Sequence, residues 1–178
     1  MDMSEIARAL EASAIGTWVR AGKGIAPMMS GLHIMAIVFV FGTIFMVDLR
    51  LLGVAFMNRA FTRVHADLLR WTWIAFVLSA ITGVLLITAN ATEYLHNVPI
   101  QIKFVLIVLA GINMFVFEWF TMRDVAIWDS GGPPPAAKAA AAISLILWIL
   151  VTVFGRWVGY TKGVAVPEVD PGALGNFL

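Results

Sequence analysis

His33, Asp48, Lys103, Glu118 and Arg156 are ionisable residues set inside, or at the edge of, long apolar runs in this 178-residue chain. Inside hydrocarbon such groups are costly, and by default they mark a functional site. His33 offers the widest chemistry. A neutral imidazole ligates haem or a metal ion, and it exchanges protons near neutral pH. It shares a helical stripe with Ala36, Ile37, Val40, Ile44 and Asp48, and Gly31 and Gly42 leave room for a bulky group or another helix. A haem b at His33 needs a second axial ligand and cations for its propionates. His96 is the candidate ligand on the same membrane face, with Lys103 and Arg156 as the cations. Tyr160, four residues after Arg156, shares its face, and the planar fork of Arg156 suits a propionate, a quinone oxygen or a lipid phosphate. The plainer alternative makes His33 a hydrogen-bond partner of a neighbouring helix and His96 a solvated loop residue. Proton transfer through His33 is a third.

Lys103 and Glu118 lie fifteen positions apart on one run, about 60° from each other around a helix, with Gly111 and Asn113 between them. That spacing suits a polar path for protons, or two charges snorkelling to opposite interfaces. The favoured expectation is snorkelling for Lys103, and for Glu118 a salt bridge to Arg123 or to an arginine of the first loop. Asp48 and Arg50 point to different sides of their helix, so Asp48 is expected to pair with Arg70 or another basic residue, closing that end structurally. His65, near Asp67, reads as a surface residue. No Ser-His-Asp set, no carboxylate pair at one depth and no HExxH motif can be assembled, so a self-contained enzyme is not expected. The absence of cysteine excludes disulfides, cysteine-bound zinc and iron–sulfur clusters.

The elements that carry these residues follow from hydropathy. Apolar runs cover 25–52, 68–89, 102–120 and 139–160, each at least the ~20 residues a bilayer demands. Charged residues make up 13% of the chain, against ~25% in a soluble domain, and 61% of it is hydrophobic. The fold class is therefore all-α: a four-helix transmembrane bundle, up-down-up-down, in a single domain spanning 1–178. Residues 2–20 predict an amphipathic helix lying along the membrane, started by Asp2 and Glu5. Ile6, Leu10, Ile15 and Trp18 gather on one side of it, and Arg8, Glu11 and Arg20 on the other. It reads equally as a lipid anchor or as a cap on the bundle. Loops are predicted at 53–67, 90–101 and 130–138, with an irregular tail over 163–178.

Acidic residues interrupt the first dozen positions, so no signal peptide is expected. The formal charge of +1 leaves no footprint for nucleic acid. Arg50, Arg59, Arg63 and Arg70 border the first loop and place it in the cytoplasm, with both termini periplasmic, although lysines and arginines counted over the whole chain divide evenly. Trp18 and Trp157 suit a belt at one interface, and Trp71, Trp73, Trp119 and Trp128 at the other. Gly155 and Gly159 form a small-xxx-small step for helix packing, within the chain or between copies in a homo-oligomer.

The runs HIMAIVFVFGTIFMVDLRLLG, WTWIAFVLSAITGVLLITANATEYLHN, IQIKFVLIVLAGINMFVFE and GRWVGYT resemble a family of small bacterial four-helix membrane proteins of unknown function. The resemblance covers about 15–162 and implies the fold and a bacterial inner-membrane location, with no activity attached. More distantly, the layout is similar to bacterial cytochrome b-like and copper-resistance membrane proteins, which carry more helix-borne histidines than this chain. Three functions remain open. The leading one is a redox subunit holding haem b, or meeting quinone, through His33, His96, Lys103, Arg156 and Tyr160. The others are an accessory subunit docking a membrane or periplasmic partner, and a small solute or proton transporter.

Overall fold

A segment that crosses hydrocarbon must satisfy its own backbone groups, and the helix does so within one segment. The computed structural model describes residues 2–161; the irregular tail expected over 163–178 lies outside the described residues. In chain order the helices are α1 (Met3–Ala12), α2 (Ala14–Ala21), α3 (Ile25–Leu52), α4 (Phe61–Ala89), α5 (Ala91–Leu95), α6 (Val98–Val116), α7 (Val125–Trp128) and α8 (Pro135–Thr161). A π-helical turn, Phe117–Thr121, and a 3-10 turn, Met122–Asp124, join α6 to α7. Four stretches are long and apolar enough to span a bilayer: α3, α4, Val98–Trp128 and α8. The chain is a multi-pass membrane protein built as a four-helix bundle.

Helix ends depart from the apolar runs for local reasons. Hydropathy marks what sits in lipid, while helical bonding continues through the polar interface. Thus α4 begins at Phe61 rather than 68, and the expected loop 53–67 shrinks to 53–60. Pro135 opens α8 at the first helical position, where no N–H is required, so the hinge expected over 130–138 is shorter. The expected loop 90–101 contains α5, and then Asn97, whose side chain accepts from the Ile100 amide at 3.2 Å to start α6.

The helix expected over 2–20 is two helices. Ser13, in an extended conformation, ends α1 and caps α2 by accepting from the Gly16 amide at 3.1 Å. A Cβ on Gly16 would lie 2.6 Å from the Leu10 carbonyl and 2.8 Å from that of Glu11, so the tight turn from α1 into α2 requires glycine there, and the same position lets α2 approach the Thr88 carbonyl of α4 closely. Glu11 accepts from the Thr92 amide at 2.8 Å, and Arg20 donates to the Ala89 carbonyl at 3.3 Å. The inner side therefore caps the bundle, and Ile6, Leu10, Ile15 and Trp18 stay exposed on the outer side.

Within the bundle α3 packs against α4 and α8, and α8 against α6. The spatial order is α4–α3–α8–α6. Threading by short loops makes every consecutive pair of spans neighbours, yet α4 and α6 scarcely touch along their length. At the end holding the α3–α4 connection, the loop end, a core of Leu51, Phe61, Phe117, Trp128, Ala137 and Ala141 closes the interior. Trp128 belongs to this core, its ring centroid 5.2 Å from Phe61, and not to the interfacial belt. Trp18, Trp71, Trp73, Trp119 and Trp157 are exposed, as a belt requires.

Candidate functional site

Three polar constellations occupy the bundle. At the loop end, Arg50 is fully buried. Its Nε donates to the Arg59 carbonyl at 3.0 Å, its Nη2 to the Asp129 carbonyl at 3.0 Å, and its Nη1 to Met57 Sδ at 3.4 Å. Asp129 in turn caps α4 from a distant part of the chain. Its carboxylate accepts from the Thr62 amide at 2.8 Å and the Thr62 hydroxyl at 2.9 Å, and its carbonyl accepts from the Phe61 amide at 2.9 Å. The Thr62 backbone bond, with the Thr62 hydroxyl and the Arg50 charge behind it, holds the Asp129 carboxyl below its ordinary range. This junction locks two loops together and is fully bonded.

The second constellation lines a cavity of about 180 Å³ in the loop-end half of the bundle. Its walls are α4, with His65, Thr72, Trp73 and Phe76, and α6, with Gly111, Asn113 and Met114, running on to Phe117 and Glu118. Its floor is α3, with Val40, Ile44 and Asp48, and α8, with Ser144 and Trp148. Because α4 and α6 scarcely touch, the cavity lies along an open seam, where Trp73 and Met114 are exposed on the lipid side. Asp48 is 4% exposed, and its Oδ2 is buried without a hydrogen-bond partner. Ser144 of α8 lines the cavity together with it.

Two expected ion pairs fail here. Asp48 does not meet Arg70, which is exposed on α4. Glu118 does not meet Arg123: its Oε1 lies 2.9 Å from His65 Nε2, a bond that ties α4 to the chain beyond α6 across the seam. Arg123 instead lies over the Trp119 ring, 5.4 Å from its centroid. Glu118 is carried on the π-helical turn, a distortion often found at functional positions. His65 is consequently no surface residue. Its ring packs on Phe61 at 5.4 Å and its side chain is largely buried.

The third constellation is at the end holding the termini. His33 Nδ1 lies 2.9 Å from the Ser79 carbonyl and 3.0 Å from Thr82 Oγ1. A carbonyl only accepts, so the proton belongs on Nδ1, and Nε2 keeps its lone pair. The ring rests on α4 where Gly83 has no side chain; a Cβ there would be 3.0 Å from His33 Cε1. Lys103 is turned into the bundle beside Gly155 of α8, its Nζ 3.4 Å from where a Cβ would stand, and not snorkelled outward. Gly83 and Gly155 are thus the glycines that make room, whereas Gly31, Gly42 and Gly159 face open space. Lys103 lies close enough to His33 for their charges to interact. His96, Arg156 and Tyr160 are exposed, and Arg156 stacks over Tyr160 at 5.1 Å. The structure brings two of the five expected cofactor-binding residues together. Among the described residues no cluster of three or more His, Asp or Glu could hold a metal ion.

The fold and these sites define a small polytopic helical membrane protein with a side-opening internal cavity. The chain belongs to a family of unknown function (DUF6644), whose sequence profile matches residues 8–161. No curated protein and no solved structure matches it, and no similarity to cytochrome b-like proteins is shown. Sequence reasoning missed Asp129, Ser144 and the role of His65. The first two carry no local motif, and His65 was hidden by ending the helix where hydropathy ends.

Proposed function

We propose that the protein is a membrane-embedded binding protein that takes a small amphipathic molecule sideways from the bilayer into the cavity between α4 and α6. The observation that carries this reading is the unpartnered, buried Oδ2 of Asp48 on the floor of a mostly apolar cavity. An apolar pocket with a few convergent polar groups is the usual form of a small-molecule site. An unbonded buried acceptor costs about 1–3 kcal/mol, and a ligand that bonds to it recovers that cost. The exposed Arg59, Arg63 and Arg70 favour a cytoplasmic loop end, in a bacterial inner membrane. Gly111 supplies the test. Gly111 lines the cavity and a Cβ there meets nothing within 4 Å, so a leucine at this position is expected to take up cavity space. Calorimetric titration of the protein in lipid nanodiscs with 4-phenylbutanol and 4-phenylbutylamine should give saturable binding of at least one of them, weakened at least tenfold by Gly111→Leu. Non-saturable partitioning, identical in both proteins, overturns the reading.

One observation favours a second reading, the redox subunit. The bond from His33 Nδ1 to a backbone carbonyl is the usual support for a ligating imidazole, and it leaves Nε2 as the ligand atom. A haem b held there gives a Soret band that His33→Ala removes. A colourless preparation sinks this reading.

A further inference from the structure

The cavity's own bonding pattern selects the charge of what it binds. This inference rests on the cavity being a ligand site. Thr72 donates its hydroxyl to Thr43 at 2.8 Å, within range also of the Leu68 carbonyl at 2.9 Å, and the Asn113 amide donates to the Ala140 carbonyl at 3.0 Å. The Nε2 of His65 is engaged with Glu118. The Thr72 hydroxyl and one N–H of the Asn113 amide are therefore committed inside the protein, which leaves as donors only neutral groups: the Ser144 hydroxyl, the second Asn113 N–H and the two indole N–H groups. The acceptors left over include the acidic ones: the Asp48 carboxyl, the Asn113 carbonyl oxygen and the second carboxylate oxygen of Glu118. No lysine or arginine lines the cavity. His65, the one lining group able to become positive, is paired with Glu118, so nothing in the cavity compensates Asp48.

We infer that the ligand is an organic cation, a protonated amine with a hydrophobic body, whose ammonium group bonds to Asp48. An ammonium brings several donors and a positive charge, the complement of a lining that holds Asp48 and Glu118 and no lysine or arginine. The faces of Trp73, Phe76, Phe117 and Trp148 suit the same ligand, because aromatic rings attract a desolvated cation. Size narrows it further. A cavity of roughly 150 Å³ accommodates benzene, whereas drug-sized ligands occupy about 300–1,000 Å³. At about 180 Å³ the site takes the head of the molecule and one ring-sized group, with any longer tail left in the seam. A quinone, which carries only acceptors and no charge, leaves the Asp48 oxygen unbonded; a hydroquinone, which donates, is the competing ligand.

The test compares four probes on the full chain in zwitterionic nanodiscs: 4-phenylbutylamine, 4-phenylbutanol, 4-phenylbutyrate and durohydroquinone. The amine should bind at least tenfold more tightly than the alcohol, and the acid should not bind. Asp48→Asn should remove the preference for amine over alcohol, and Asp48→Glu should retain part of it. If the alcohol binds as tightly as the amine, the cavity stands and the cation assignment falls. Tightest binding of durohydroquinone overturns it in favour of a quinol site. If no probe binds saturably, the cavity reading falls with it. The wild-type panel decides even where a variant fails to fold.

Discussion

Asp48 and Arg50 stand two positions apart on α3, exposed to 4% and 0%, and their surroundings are opposites. Arg50 is bonded at all three guanidinium nitrogens and joins two loops. Asp48 keeps an oxygen with no partner, on the floor of a cavity. A buried charge whose bonds are complete acts as a structural joint, because removing it strands every group it satisfied. A buried carboxylate whose bonds are incomplete weakens the fold that holds it, which is the usual condition of a site kept for a ligand.

Removing each residue should therefore move stability in opposite directions. Arg50→Ala is the largest effect: it leaves the Arg59 carbonyl without its guanidinium partner, takes from the Asp129 carbonyl one of its two donors, and opens a void at least the size of a guanidinium group. The loss should be about 3 kcal/mol or more, seen as a large fall in the midpoint of thermal unfolding in one detergent. Asp48→Val replaces the unsatisfied carboxyl with an apolar group of similar shape. It should raise stability by about 1 kcal/mol and abolish amine binding together. If both variants lose stability to a similar degree, the contrast between joint and site is gone.

How much of this was legible in the sequence follows the same division. The spans, a helical segment ahead of them and the burial of Asp48 with the His33 stripe were legible, because hydropathy and helical period are local properties; the break of that segment into two helices at Ser13 was not. Partners were not. The sequence places Arg70 and Arg123 as plausible counter-charges, but both side chains are exposed, where a full charge keeps its hydration. Glu118 found His65 because α4 extends one and a half turns or more beyond its apolar run, a continuation set by Asp129 capping it from another loop. The open seam between α4 and α6 was also hidden: a short connection states that two helices are consecutive, not that their sides meet. On the terminus side the sequence placed His33 and Lys103 at one membrane face, yet the room for them comes from Gly83 and Gly155, and no local pattern says which side chain each glycine faces.

The smallest predicted effect sharpens the comparison from the joint's side. Asp129 lies just past the third spanning stretch, and its carboxyl is held below the ordinary range by the Thr62 amide first. A carboxyl depressed on folding contributes stability that is fully present above its unfolded value, ~3.9. That contribution is lost as pH falls through the lower folded value. Asp129→Asn keeps an acceptor for the Thr62 amide but removes the charge that Arg50 faces. Its cost at pH 7 should therefore stay below about 1 kcal/mol, the typical worth of an N-cap. Unfolding midpoints of wild type and Asp129→Asn should differ slightly from pH 7 down to about 4, then converge as the wild-type carboxylate takes up its proton. A difference that persists undiminished at the lowest pH shows that the charge of Asp129 plays no part in the joint. Arg50 would then hold the two loops through carbonyl groups alone.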